Sequence, residues 1–245
     1  MRSPLAVLNR EVVACSRCPR LVRHREAVAR EKRAAFEEWD YWGRPLPGFG
    51  DPRAQLLVVG LAPAAHGGNR TGRMFTGDRS GDFLFRALHR AGFASQPESR
   101  SRDDGLALRG CYVTAAARCA PPGNRPTARE FANCRPFLVR EIERLPDLKV
   151  VVPLGQLAMR EFLRAWAAAG GRAPRPAPRF AHLAEFPLGP VHVVVSYHPS
   201  QRNTQTGLLT EGMLDAVFAR ARALLDARGS SHHPAPHLPM SGAGI

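Results

Sequence analysis

No apolar run in this chain approaches the ~18–20 residues that cross a bilayer, so a membrane-spanning helix is excluded. The opening stretch MRSPLAVLNREVVACSRC lacks a continuous apolar segment followed by a small-residue cleavage site, and no secretion signal is expected. Both common nucleotide-cradling patterns, GxGxxG and GxxxxGK followed by Ser or Thr, are missing. Acidic residues are few: 21 Asp and Glu face 35 Lys and Arg, leaving a net charge of +14, and nearly all the cations are arginine. Basic surfaces bind phosphate backbones by neutralising them and releasing counterions, so a polyanion is the natural partner. A genome that favours arginine codons is the bland alternative, but it does not explain so large an excess over carboxylates. At 245 residues and 44% hydrophobic composition, the chain can bury a full core as one domain.

Cysteine is sparse as well, at five residues. Without a secretion signal these thiols are better read as metal ligands than as disulfides. Cys111 opens the strand-like run CYVTAA and reads as core. Cys15 and Cys18 form a CxxC, while Cys119 and Cys134 stand fourteen residues apart. Four thiols suffice for a closed site holding zinc or an iron–sulfur cluster. The CxxC alone would also fit a redox pair.

What is present is an alternation of apolar strands and helices. Residues 5–38 read as mainly helical and strongly basic, followed by the Gly/Pro-rich loop EEWDYWGRPLPGFGDP. Strands are expected at residues 55–60, 111–115, 149–155 and 192–198, each a short continuous apolar run. Helices are expected at 81–91, from a capping-box pattern at Thr127 and Glu130 through Cys134, at 156–168 and at 210–227. The stretch SQPESRSRDDG reads as disorder-like, residues 171–190 as a long loop, and residues 228–245 as a flexible tail beyond a single domain spanning 1–227. Near-continuous apolar strands alternating with helices indicate an α/β class: a three-layer α/β/α sandwich around a mostly parallel four-stranded sheet. The unusual residues then gather at the carboxyl ends of strands, where ligands bind in this architecture. A long Gly-rich loop follows the first strand, Arg118 and Cys119 follow the second, and His198 closes the fourth.

Three segments carry a family resemblance: GLAPAAHGGNRTGRMFTGD from Gly60 to Asp78, YHPSQRNTQTG from Tyr197 to Gly207, and RCAPPGNRPTAREFANC from Arg118 to Cys134. Together they resemble the uracil-DNA glycosylase superfamily, specifically family 5, the UDGb type. The resemblance covers about Cys15 to Leu225. It implies a 4Fe-4S cluster as cofactor, with Cys15, Cys18, Cys119 and Cys134 as ligands, and a monofunctional hydrolase that excises deaminated bases from DNA and leaves an abasic site. It further implies a monomer in the cytoplasm of a bacterium or archaeon, working on the nucleoid. Three positions depart from related branches. Leu61 and Ala62 stand where others carry a polar residue that positions water, and Ala115 stands where family 4 has an asparagine that reads uracil. The missing reader agrees with the wider choice of bases associated with family 5, which includes hypoxanthine and xanthine.

The chemistry assigns roles within those motifs. A flipped base needs a stacking face, and Phe75 offers one that tolerates different bases; packing in the core is its plainer role. Negative charge builds on the departing base, and His198 can donate a hydrogen bond to it, helped by backbone amides near Ala62 and Ala64 past Gly60. Positive charge builds on the sugar, and Asp78 is the acid within the motifs that can stabilise it or orient water. Asp78 can equally be the N-cap of the helix that follows. Asn69, Arg70, Arg73, Ser200, Arg202 and Asn203 are candidates for gripping phosphates or filling the gap left by the base. Two other classes compete: a non-catalytic nucleic-acid-binding protein with a structural four-cysteine site, and a zinc hydrolase. The first does not need a tailored pocket, and catalytic zinc wants an open coordination position.

Overall fold

In the computed structural model, which describes residues 3–229, the N-terminal helical stretch is split in two. Helices α1 (Pro4–Val13) and α2 (Pro19–Glu31) flank the Cys15–Cys18 turn, and each opens on a proline, whose missing amide is not needed in a first helical turn. The chain continues through β1 (Phe49–Gly50), β2 (Leu56–Gly60), α3 (Gly68–Thr71), α4 (Arg79–Arg90) and β3 (Cys111–Ala115). It then forms α5 (Ala128–Glu143), β4 (Val150–Pro153), α6 (Gln156–Ala168), β5 (Glu185–Leu188), β6 (Val191–Val194), α7 (Gln201–Gln205) and α8 (Glu211–Gly229).

The strands form one sheet in the order β1-β3-β2-β4-β6-β5, with the inner four parallel and both edges antiparallel. The register sets Leu56 beside both Cys111 and Val150 and Gly60 beside Ala115, so the carboxyl ends of neighbouring strands finish level. Side chains alternate between faces, as pleating requires. Leu56 and Val58 pack with Phe85, Leu88, Leu214 and Phe218 of α4 and α8, while Leu57 and Val59 pack with Leu8, Leu138 and Phe162 of α1, α5 and α6. The result is helix, sheet and helix in three layers.

Three expectations need correction. The sheet has six strands where four were expected. β5 falls inside the stretch read as loop, because its EFPL sequence carries a proline and two exposed positions, which only a sheet edge tolerates. SQPESRSRDDG is ordered around Asp104, which accepts from Arg73 Nη2 at 2.7 Å and from the amides of Arg100 and Ser101 at 2.8 and 3.2 Å. Against the upward pull of burial, the Arg73 bond and these amides hold the Asp104 carboxyl at about 2. The last helix continues to Gly229, past the expected start of the tail, and the remainder of that tail lies outside the described residues.

Candidate active site

Loops leaving the carboxyl ends of β2, β3 and β6 meet at a cleft of ≈ 1280 Å³. The β2 loop supplies Leu61, Ala62, Ala64, His66, Phe75 and Asp78, the β3 loop Asn124, and the β6 loop His198 and Ser200. Arg33, Phe36 and Trp39 form a further wall.

Phe75 holds an unusual backbone conformation, φ 52°, that turns its ring back over the end of β2. A Cβ on Gly60 would lie 2.6 Å from the ring tip, and one on Gly81 would lie 1.8 Å from the Phe75 carbonyl oxygen, so both glycines make room for this residue. The half-buried ring stands 6.1 Å from the His198 imidazole, centroid to centroid, with 35° between their planes. Burial pushes the His198 pKa down to about 4, which leaves a neutral imidazole at physiological pH. Asn203 Nδ2 donates to the His198 carbonyl at 2.9 Å, and Ser200 Oγ caps α7 by accepting from the Asn203 amide at 3.3 Å. Ser200 and Asn203 thus spend polar atoms on holding the HPSQRN turn, while Arg202 stands exposed beside them.

Asp78 is the N-cap of α4, with Oδ1 accepting from the Gly81 amide at 3.0 Å. Its Oδ2 packs on Gly67, where a Cβ would come within 1.9 Å. Burial raises its pKa, partly opposed by the Gly81 and Ser80 amides. The residue therefore caps a helix and also lines the cleft.

Other expected residues are placed differently. Arg70 lines the cleft but is a clamp: Nε donates to the His66 carbonyl at 2.8 Å, Nη2 to the Gly77 carbonyl at 2.7 Å, and the guanidinium sits 3.9 and 4.0 Å from the ring centres of Phe36 and Trp39. Arg73 is engaged with Thr76, Ser99 and Asp104. Asn69 is fully buried outside the cleft, donating to the Arg25 carbonyl at 3.1 Å. Arg118 turns into the protein, paired with Glu141 where both side chains are almost wholly buried.

Three cleft features escape the sequence reading. Asn124 has φ 56°, a left-handed conformation that asparagine tolerates, and its APPGNRP turn was the available signal. His66 was legible only as part of AHGG; its Nδ1 lies 3.1 Å from the Tyr41 hydroxyl. Phe36 and Trp39 carry no periodicity that marks them as a cleft wall.

The description "Uracil DNA glycosylase superfamily" belongs to the family model that matches residues 47–222. The chain belongs to this superfamily. It is 50% identical over 219 residues to the type-5 uracil-DNA glycosylase of Mycobacterium tuberculosis, covering 89% of this chain and 80% of the relative. It is 49% identical over 214 residues to the type-5 enzyme of Thermus thermophilus, covering 87% of this chain and 94% of the relative. The type-4 uracil-DNA glycosylase of Archaeoglobus fulgidus is 32% identical over 114 residues, covering 46% of this chain and 49% of the relative. This uracil-DNA glycosylase superfamily member is accordingly a hydrolase of the DNA-glycosylase class.

In this superfamily member the four candidate cysteines lie near enough for their charges to act on one another. Charge on Cys15 and Cys18 acts on Cys119, and charge on Cys18 and Cys119 acts on Cys134. Donors already face three of the sulfurs: Arg25 Nη1 at 3.1 Å from Cys119, Asn133 Nδ2 at 3.3 Å from Cys18, and the Arg118 amide at Cys134. Burial pushes the Cys119 and Cys134 thiols up to about 11 and about 12. Cys111, by contrast, is fully buried in the sheet core.

The depressed pKa of His198 has a consequence for the glycosylase's stability. Between its ordinary 6.5 and about 4, the unfolded chain takes up a proton that the folded chain refuses. Stability is then full above the ordinary value and falls as pH drops through this window. The melting temperature of His198→Asn is expected to fall less over the same range than that of the parent. Parallel curves would place the imidazole in contact with solvent.

Proposed function

We propose that this glycosylase flips deaminated bases, uracil and also hypoxanthine and xanthine, into the cleft and hydrolyses their N-glycosidic bond. The observation that carries the reading is the Phe75 ring folded over Gly60 beside a neutral His198 at the strand ends. Phe75 stacks on the extruded base, a contact indifferent to its substituents. His198 donates a hydrogen bond to the base oxygen that gains charge as the bond breaks. Asp78, which lines the cleft with Oδ2 against Gly67, serves the sugar or the attacking water. Leu61, Ala62 and Ala115 carry no polar side chain at the positions where related branches hold a water-positioning residue or a uracil-reading asparagine. Duplexes carrying one lesion each, followed by strand cleavage at the abasic product, test this: uracil and hypoxanthine are both expected to be removed, and a strict uracil preference would overturn the wider choice.

Cys15, Cys18, Cys119 and Cys134 fit a 4Fe-4S cluster, and three donors to their sulfurs suit thiolates. Four thiolates make a closed ligand set with no open coordination position, which suits a structural centre and not a catalytic zinc. A cluster held by four thiolates serves as a structural cross-link. Protein purified without oxygen is expected to be brown, with about four iron and four sulfide per chain. Cys111→Ser should retain the iron and Cys119→Ser should lose it. Stoichiometric zinc without visible absorbance would overturn the assignment.

A further inference from the structure

One residue touches both the cysteine site and the β2 loop. Arg25 lies on α2, six per cent exposed. Its Nη1 donates to Cys119 Sγ at 3.1 Å and to the Cys15 carbonyl at 3.3 Å, binding the two halves of the cysteine site. Its own carbonyl accepts from Asn69 Nδ2 at 3.1 Å, and Asn69 sits on α3, inside the loop that carries Phe75 and Asp78. A carbonyl within a helix already has a donor four residues on, so the Asn69 bond is not needed to satisfy α2. The other end of that amide is also unexplained: Asn69 Oδ1 is buried without a partner. An asparagine that leaves one polar atom unsatisfied and supplies a bond its partner does not need is poorly accounted for by local stability alone.

The same short helix is held a second time by backbone bonds. The amides of Trp42 and Gly43 donate to the carbonyls of Arg70 and Asn69 at 2.9 and 3.1 Å. A Cβ on Gly43 would stand 3.0 Å from Cβ of Ala29, so this segment too lies against α2. Arg70, the next residue of α3, fixes the Gly77 carbonyl at 2.7 Å, one residue before Asp78. The path from cysteine site to cleft is therefore Cys119, Arg25, Asn69, Arg70, Gly77 and Asp78, every link a hydrogen bond or a chain neighbour.

We infer that Arg25 and Asn69 are positioning residues that couple the integrity of the cysteine site to the placement of the catalytic loop: cluster binding sets α2, and α2 sets α3 and the cleft. This rests on the cluster and the DNA-cleft reading proposed above. Because coupling between two sites runs in both directions, DNA held in the cleft should steady α2 and hence the cluster.

The test uses cluster-loaded protein throughout. Iron release to an excess of chelator is followed by the loss of visible absorbance, with and without saturating duplex carrying one abasic analogue. In the parent, DNA is expected to slow release by about fivefold or more, the lower range of ordinary coupling. In Asn69→Ala the starting iron and DNA binding should persist, because the change removes an unsatisfied oxygen along with the tie, but the ratio of rates should fall towards one. Asn69→Ser is the second variant if alanine fails to load iron. Simple shielding of the cluster by bound DNA would leave the variant's ratio equal to the parent's, and that result, like a parent ratio of one, overturns the coupling while leaving the glycosylase reading intact. Absence of iron in the parent would overturn the cluster and the coupling together.

Discussion

His198→Ala is expected to slow single-turnover excision of uracil by roughly a hundredfold or more, the effect of removing one donor from a developing oxyanion. The base leaves as an anion, so a bond that strengthens as charge accumulates lowers the barrier rather than merely tightening substrate binding. The imidazole suits that role because burial holds its pKa near 4, keeping it neutral and spared the cost of shedding a proton or a hydration shell. Its backbone is held by Asn203 and its Cβ lies 3.3 Å from where a Cβ on Gly155 would stand, so little freedom remains for it to be misplaced. Binding to abasic duplex should change little, since the phosphate contacts remain. His198→Asn, which keeps an N–H, should recover part of the loss. Excision by His198→Ala at the parent rate would leave the residue as a strand-end anchor.

Asp78→Asn is expected to lower excision by roughly a hundredfold, the lower range for loss of a positioned acid or base, with almost no change in melting temperature. The separation of the two readouts follows from geometry. Oδ1 is the α4 cap, and asparagine caps a helix about as well as aspartate. Oδ2 lies against Gly67, and the residue lines the cleft, where only a charge can steady a cationic sugar. Burial already disfavours that charge, as the raised pKa records, so neutralising it costs the fold nothing. Asp78→Ala is the control, losing activity and also the cap, worth ~0.5–2 kcal/mol. Parent-rate excision by Asp78→Asn would reduce Asp78 to a cap and leave His198 with the backbone dipoles.

The inner sheet was legible because β2 and β3 are buried at every position, and five consecutive apolar or small residues cannot be mistaken for a surface. The start of α5 was equally plain: Thr127 and Glu130 form both bonds of the expected capping box. Edges were not, since β1 is two residues long and β5 has only one buried position, Leu188. Arginine was the least readable residue. Arg70 and Arg73 look like phosphate ligands in a basic sequence, yet each, like Arg118, is almost fully buried and bonded within the protein. Their partners, carbonyls and distant carboxylates such as Asp104 and Glu141, leave no local trace in sequence. Asn69 was legible as part of a motif but not as a tie to α2, because its partner is a backbone atom 44 positions away.

The glycines around Phe75 and Asp78 make this cleft fragile in an unexpected direction. Gly60, Gly67 and Gly81 offer no functional group, yet each marks a place where one added methyl would occupy the space of the ring, the carboxylate or the backbone between them. Drift that enlarges a residue by the smallest possible step would thus disarm the enzyme while every polar residue stayed in its sequence. A scan for lost chemistry would pass over such variants, and the inheritance of repair capacity in this lineage rests partly on positions whose contribution is to remain empty.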